Sequence, residues 1–203
     1  MSQEKALELA AESALDPEPE VALAPEVAPD FFSLSPALTQ RALSLGPRLI
    51  SLGATIGVAE SLTGGLVATT LTYTPGSSAV FLGGVTAYAN SVKEKVVGVD
   101  PTILETQGAV SQLTALAMAQ GIKKLLGAEI GLATTGIAGP DGGSAEKPVG
   151  LYHVAAMGLG RVVSAKNIFS GHRQQIAEAA ALSVLDLLEE IITNPSEEFT
   201  KLN

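Results

Sequence analysis

The chain has 203 residues, 46% hydrophobic and only 4% aromatic, with no Trp and no Cys. That length suits one domain with a sizeable core of Ala, Val, Leu and Ile, plus an appendage. The missing cysteines exclude a disulfide framework, a thiolate metal site and a cysteine nucleophile. Two histidines, His153 and His172, are too few for a histidine-rich zinc site. The net charge of −9 is uneven: residues 1–36 carry eight acids and one base, leaving 13 acids and 11 bases in the rest. The remainder has no basic stripe to grip a phosphodiester backbone, so nucleic acid is not an expected partner. No apolar run reaches the ~18 residues of a membrane span, so a membrane is not expected either.

Residues 1–36 contain five of the eleven prolines amid Ala and Glu. Such a segment buries little apolar surface and reads as a disordered, solubilising tail, with a fraying helix over Glu4–Leu15. It is too acidic for a mitochondrial presequence and lacks a secretory apolar core, which points to the cytoplasm. The expected domain runs from 37 to 193, with 194–203 as a C-terminal tail.

Leu38, Ala42, Leu45, Leu49 and Leu52 have near-helical spacing, with Pro47 expected to kink or restart the helix. Thr55–Ala59 reads as a short buried strand, and Thr63 as the cap of a helix running to about Tyr73. Val80–Tyr88 is a second expected strand, followed by a short helix over Val92–Val97. Ser111 is placed to cap a strongly periodic helix ending near Gly127. Ile130–Thr134 is a third strand, Val149–Ala156 and Arg161–Phe169 form a hairpin around Gly158–Gly160, and a last helix spans about Arg173–Ile192. Alternating strands and helices predict an α/β layered fold.

Three polar, glycine-containing segments directly follow predicted strands: Glu60–Gly65, Tyr88–Lys93 and Thr135–Gly143. If those strands are parallel neighbours, the segments converge on one cleft at the carboxyl ends of the sheet. Ser61 precedes Thr63-Gly64-Gly65, where helix-start N–H groups either hold an anion or are merely capped. A serine hydroxyl needs a base, and a lysine of lowered pKa can serve; Lys93 is the candidate, with Tyr88 as relay or substrate contact. Equally, Lys93 reads as a solvated helix lysine beside Glu94 and Lys95. The Gly136–Gly143 loop lets backbone N–H groups approach an anion or a flat ring, or is a structural Ω-loop; Asp141, Glu146 and Lys147 are further polar candidates. Arg173 either pairs with a phosphate or lies on the surface. His153, inside an apolar strand, reads as packed, and the loop-borne His172 has no legible role.

Four stretches resemble, in order, the C-terminal domain of the competence-damage-inducible CinA proteins, the nicotinamide mononucleotide amidohydrolase family. They are Ala59–Gly65; Gly84–Asn90 with Lys93 and Val97–Val99; Gly108–Ser111; and Thr135–Gly143 with Lys147–Gly150. The resemblance covers roughly residues 38–192. It implies a three-layer α/β/α sandwich with a mostly parallel or mixed sheet, and metal-independent, cofactor-free hydrolysis of the mononucleotide's carboxamide. It also implies Ser61 as nucleophile, Lys93 as its basic partner and Tyr88 as a nearby active-site residue, with Thr63–Gly65 and Gly136–Gly143 holding the oxyanion and the nucleotide. The substrate-binding set it suggests is Glu60, Thr63, Gly64, Gly65, Asn90, Ser111, Thr135, Gly136, Ile137, Ala138, Gly139, Asp141 and Arg173. Many relatives read Gly-Asp-Arg with a second arginine four residues on; here the stretch is Gly171-His172-Arg173 followed by Ala177. The family's fused nucleotide-processing domain does not precede the match, which points to the stand-alone form, and the family suggests a homo-oligomer. The competing expectations are a nucleotide-binding module of the same fold without turnover, and an amidase for another pyridine nucleotide.

Overall fold

The computed structural model describes residues 34–195. Residues 1–33 of the expected tail, with the helix expected over Glu4–Leu15, lie outside them, as do residues 196–203; the tail's last residues instead belong to the domain, Ser35 capping and Pro36 opening its first helix. The elements are α1 (Pro36–Leu52), β1 (Ile56–Glu60), α2 (Leu66–Thr72), a 3₁₀ turn (Ser77–Ala79), β2 (Phe81–Thr86), α3 (Asn90–Lys95), α4 (Pro101–Gln107), α5 (Gln112–Leu126), β3 (Ile130–Gly136), β4 (Leu151–Gly158), β5 (Arg161–Ile168) and α6 (Arg173–Thr193). The five strands form one mixed sheet in the order β2-β1-β3-β4-β5. β1 is parallel to both β2 and β3, whereas β3–β4 and β4–β5 are antiparallel.

Alternation along the central strands sends side chains to two cores. Ile56, Val58, Ile130, Leu132, Val154 and Ala156 pack under α1, α2 and α6. Ala59, Ala133 and Ala155 pack under α5, with Val97 and Val99 closing that side. Because both faces are covered, β1 and β3 are almost wholly buried and apolar rather than alternating with polar residues. The result is a three-layer α/β/α sandwich. Small residues keep the α5 layer close to the sheet: a Cβ on Gly131 would sit 2.0 Å from Ala119 O.

Three local expectations change. The helix does not restart at Pro47; α1 runs unbroken through it. The missing N–H would have served Leu43 O one turn back, and Leu43 is on the exposed side, where water can satisfy that carbonyl. Thr63 does not cap α2. The N-cap is Gly65, at φ 111°, while the Thr63 hydroxyl bonds Thr134 Oγ1 at 2.7 Å. Helix α4 was not anticipated, although Asp100 accepts from Thr102 N at 2.8 Å and Pro101 opens the first turn, a start signal carried by Asp100-Pro101 itself. The β4–β5 hairpin turns at Leu159-Gly160, both at positive φ as a tight two-residue hairpin requires.

Candidate active site

Because β2, β1 and β3 are parallel neighbours, their carboxyl ends lie together at one edge of the sheet. The segments leaving them line one cleft of about 230 Å3, whose walls include Ser61, Tyr88, Lys93, Thr135, Gly139 and Arg173. Larger grooves of about 650 and 640 Å3 flank α5, one along Val96–Ile103 and one along Met157–Val162. Neither contains a nucleophile beside a base, so the smaller cleft is the candidate site.

At its floor Lys93 is 1% exposed, a rare state for lysine. Its Nζ lies 3.1 Å from Ser61 Oγ, 2.6 Å from Ala87 O and 3.1 Å from Tyr88 O. Strand β2 ends at Thr86, and the next two carbonyls turn inward to receive this nitrogen. Burial pushes the Lys93 pKa down to about 8 from an ordinary 10.5, because the ammonium has lost its water. As an ammonium, Nζ donates to all three oxygens. As a neutral amine it keeps two N–H bonds, to the two carbonyls, and turns its lone pair toward the Ser61 hydroxyl. That second state has the geometry of a general base.

The turn carrying Ser61 is held tightly. The Ser61 N–H donates to Thr134 Oγ1 at 3.4 Å, Gly64 N–H to Ser61 O at 3.3 Å, and Leu66 N–H to Thr63 O at 3.1 Å. Gly65 N–H donates to Glu60 Oε2 at 3.0 Å. The amides of Gly64 and Gly65, expected to face an oxyanion, are therefore already engaged. Those of Leu62 and Thr63 have no partner among the described residues. Of these two residues only Leu62 also lines the cleft, so its N–H is the free backbone donor that directly follows the nucleophile in sequence.

Arg173, the first residue of α6, bridges the two sides of the cleft. Its Nη2 donates to Tyr88 OH at 2.8 Å and its Nη1 to Gly139 O at 2.9 Å. Thr135 Oγ1 donates to Ala109 O at 2.6 Å, fastening the 109–110 segment to the end of β3. Gly136 and Gly139 sit where side chains do not fit. A Cβ on Gly136 would lie 2.6 Å from Tyr152 Cβ, and one on Gly139, at φ 72°, would lie 2.5 Å from Val149 Cγ1.

Of the residues singled out from sequence, the cleft gathers Ser61, Tyr88, Lys93, Thr135, Gly136, Ile137, Ala138, Gly139, Asp141 and Arg173. Glu60, Thr63, Gly64, Gly65, Asn90 and Ser111 do not line it. The Glu60 carboxylate is buried against the start of α2. Asn90 is exposed on α3. The Ser111 hydroxyl caps α5, accepting from Thr114 N at 3.1 Å. Gly142, within the expected Gly136–Gly143 loop, lines the cleft too, as do Leu62, Ala109 and Val110, which the sequence does not single out by themselves. The signal for Ala109 and Val110 is the Gly108–Ser111 stretch, in which they are the apolar residues before the Ser111 hydroxyl. Lys147 points away, donating to Gln107 O at 2.7 Å. His153 is 7% exposed, and burial with the nearby Lys166 and Lys147 charges lowers its pKa. The backbone N–H of His172 donates to Gln175 Oε1 at the start of α6. Among the described residues no three His, Asp or Glu side chains come together to hold a metal ion, and no helix is long and apolar enough to cross a membrane.

Fold and site define an α/β/α sandwich with a buried serine–lysine pair at the carboxyl end of its parallel strands. The family model described as the CinA C-terminal domain matches residues 38–192, and the chain belongs to that family. It is 50% identical over 145 residues to a CinA-like protein of Desulfotalea psychrophila, covering 71% of this chain and 35% of that one. Over 153 residues it is 45% identical to a CinA-like protein of Frankia casuarinae, covering 75% and 35%. The chain thus spans about a third of the length of the curated relatives it matches. Among solved structures it is similar to the competence/damage inducible protein CihA from Agrobacterium tumefaciens, with 41% identity, a TM-score of 0.76, and coverage of 78% of this chain and 98% of that one. A CinA superfamily protein from Escherichia coli is 27% identical, with a TM-score of 0.72 and coverage of 81% and 94%.

Proposed function

We propose that this domain hydrolyses the carboxamide of nicotinamide mononucleotide, giving nicotinic acid mononucleotide and ammonia. The observation that carries the reading is the contact between Ser61 Oγ and a lysine that is 1% exposed and has a pKa lowered to about 8. Such a pair suits attack on a carbonyl, and the family resemblance supports the choice of amide.

Neutral Lys93 takes the Ser61 proton as Oγ bonds to the carboxamide carbon. The oxygen that becomes negative is met by the Leu62 N–H, a donor held in place by the Ser61 turn. The C–N bond then breaks while the Lys93 ammonium returns its proton to the departing nitrogen, which leaves as ammonia. Water attacks the resulting ester, Lys93 accepts its proton, and the proton passes to Ser61 Oγ as the acid departs. The carbonyls of Ala87 and Tyr88 keep Nζ pointed at Ser61 through both half-reactions. Arg173 and the Gly136–Gly142 backbone are the groups available to the nucleotide portion, Arg173 through a charge suited to phosphate.

The test is ammonia release from nicotinamide mononucleotide in the presence of a chelator, comparing wild type with Ser61→Ala. Release by the first and not the second supports the reading. A folded wild type that releases none from this substrate, but releases ammonia from another pyridine nucleotide amide, moves the substrate and keeps the chemistry.

A further inference from the structure

Glu60 is the last residue of β1, adjacent to Ser61, and 1% exposed. A buried carboxylate normally sits beside a cation, yet no cationic side chain pairs with this one among the described residues. Three backbone N–H groups at the start of α2 satisfy it instead. Gly65 N and Val67 N donate to Oε2 at 3.0 and 3.1 Å, and Ala68 N donates to Oε1 at 2.8 Å. The N-cap position of α2 is Gly65, which has no side chain to do this. The helix is therefore capped from five residues upstream, across the turn that carries Ser61. On its other side, Glu60 O accepts from Ala87 N at 2.7 Å, and Ala87 O in turn receives Lys93 Nζ at 2.6 Å.

We infer that Glu60 is the positioning residue of the Ser61–Lys93 pair, fixing the Ser61 turn through its carboxylate and the Lys93 cradle through its carbonyl. The claim rests on the serine–lysine reading of the cleft. Its carboxylate does not bind substrate: it is already bonded three times and lies outside the cleft wall. It also occupies the start of α2, so an anionic part of the substrate must go elsewhere. The fit is specific to a carboxylate. Two oxygens serve three donors here, whereas a Gln side chain has one oxygen and would set an NH₂ against an N–H.

The test compares Glu60→Gln with Asp100→Ala, which removes the cap of α4, a helix that does not carry the pair. Four readouts are taken: kcat, KM, the rate at which a fluorophosphonate modifies Ser61, and Tm. E60Q is expected to lower kcat and the Ser61 modification rate together by about tenfold or more, with KM within about twofold, because small displacements of a nucleophile are costly. D100A is expected to lower Tm and leave the Ser61 rate unchanged. If E60Q does not fold, Glu60→Asp, which retains both acceptors one methylene back, is read in the same way. Wild-type kcat and modification rates in the Glu60 variant overturn the inference, as does an equal loss in D100A. A wild type that neither reacts at Ser61 nor releases ammonia overturns the serine–lysine reading and this inference with it. A reactive wild type with an equally reactive Glu60 variant overturns the inference alone.

Discussion

Arg173 Nη2 and Tyr88 OH meet at 2.8 Å although 85 residues separate them in sequence, and the same guanidinium holds Gly139 O at 2.9 Å. One planar fork thereby links the segment after β2 to the loop after β3. A lysine cannot reproduce this, because its single nitrogen cannot reach both partners in the same geometry. Arg173→Lys is expected to lower kcat/KM by about tenfold with little change in Tm, since the bridge is exposed at Tyr88 and only part-buried at Gly139 and so contributes little to folding. Steady-state kinetics beside thermal denaturation check this. Tyr88→Phe should lose part of the same effect, and the double variant should lose less than the two single losses combined.

The lowered Lys93 pKa sets the pH profile. The base form is the neutral amine, so kcat/KM should rise with pH and level off above about 8. A profile flat from pH 6 to 9 would remove Lys93 from the role of base.

The same burial makes Lys93 a stability cost. Its folded pKa lies below its unfolded value, so below pH 8 both states are protonated and the folded state carries a buried charge. The lowering from 10.5 to about 8 corresponds to roughly 3 kcal/mol, partly offset when the carbonyls of Ala87 and Tyr88 lose their donor. Lys93→Met should therefore abolish turnover and be at least as stable as wild type at pH 7. Between pH 8 and 10.5 the unfolded wild type binds more protons than the folded one, so wild-type stability rises with pH and the variant's advantage shrinks. Denaturant unfolding of both proteins at pH 7 and 9.5 measures this.

Much of the fold was legible because its central strands are short and buried, and because α1 and α5 are strongly periodic. The Leu38–Leu49 spacing, the Ser111 cap and the Leu159-Gly160 turn each carry their signal locally. The cleft was legible through one inference, that three segments following parallel strands must converge, and β2-β1-β3 adjacency fulfils it. Contacts made across the sheet were not legible. Nothing near Thr63 says that its hydroxyl will bond Thr134 on a neighbouring strand. Nothing in Glu60-Ser61 says that the carboxylate will fold back onto α2 rather than face a ligand. The first depends on strand register, which sequence periodicity leaves open, and the second on the path of the turn between β1 and α2.

Gly136 tests the packing of the cleft independently of its chemistry. Its cross-strand partner is Tyr152, and a Cβ there would lie 2.6 Å from Tyr152 Cβ and 2.7 Å from Leu151 O. Gly136→Ala is expected to destabilise by about 1–3 kcal/mol, the usual cost of overpacking. That corresponds to a Tm lowered by roughly 2–4 °C per kcal/mol in a domain of this size. An unchanged Tm would mean that the β3–β4 pair yields there at no cost.

If Ser61 Oγ bonds covalently to the carboxamide carbon, an acid-quenched single turnover traps the adduct. Enzyme in excess over nicotinamide mononucleotide is quenched within the first turnover, digested and analysed by mass spectrometry. The acyl group of the mononucleotide is expected on the peptide containing Ser61, with ammonia released as the adduct forms and neither product in Ser61→Ala. Ammonia released by Ser61→Ala at the wild-type rate, with no adduct on any peptide, would contradict it and leave water as the direct attacker.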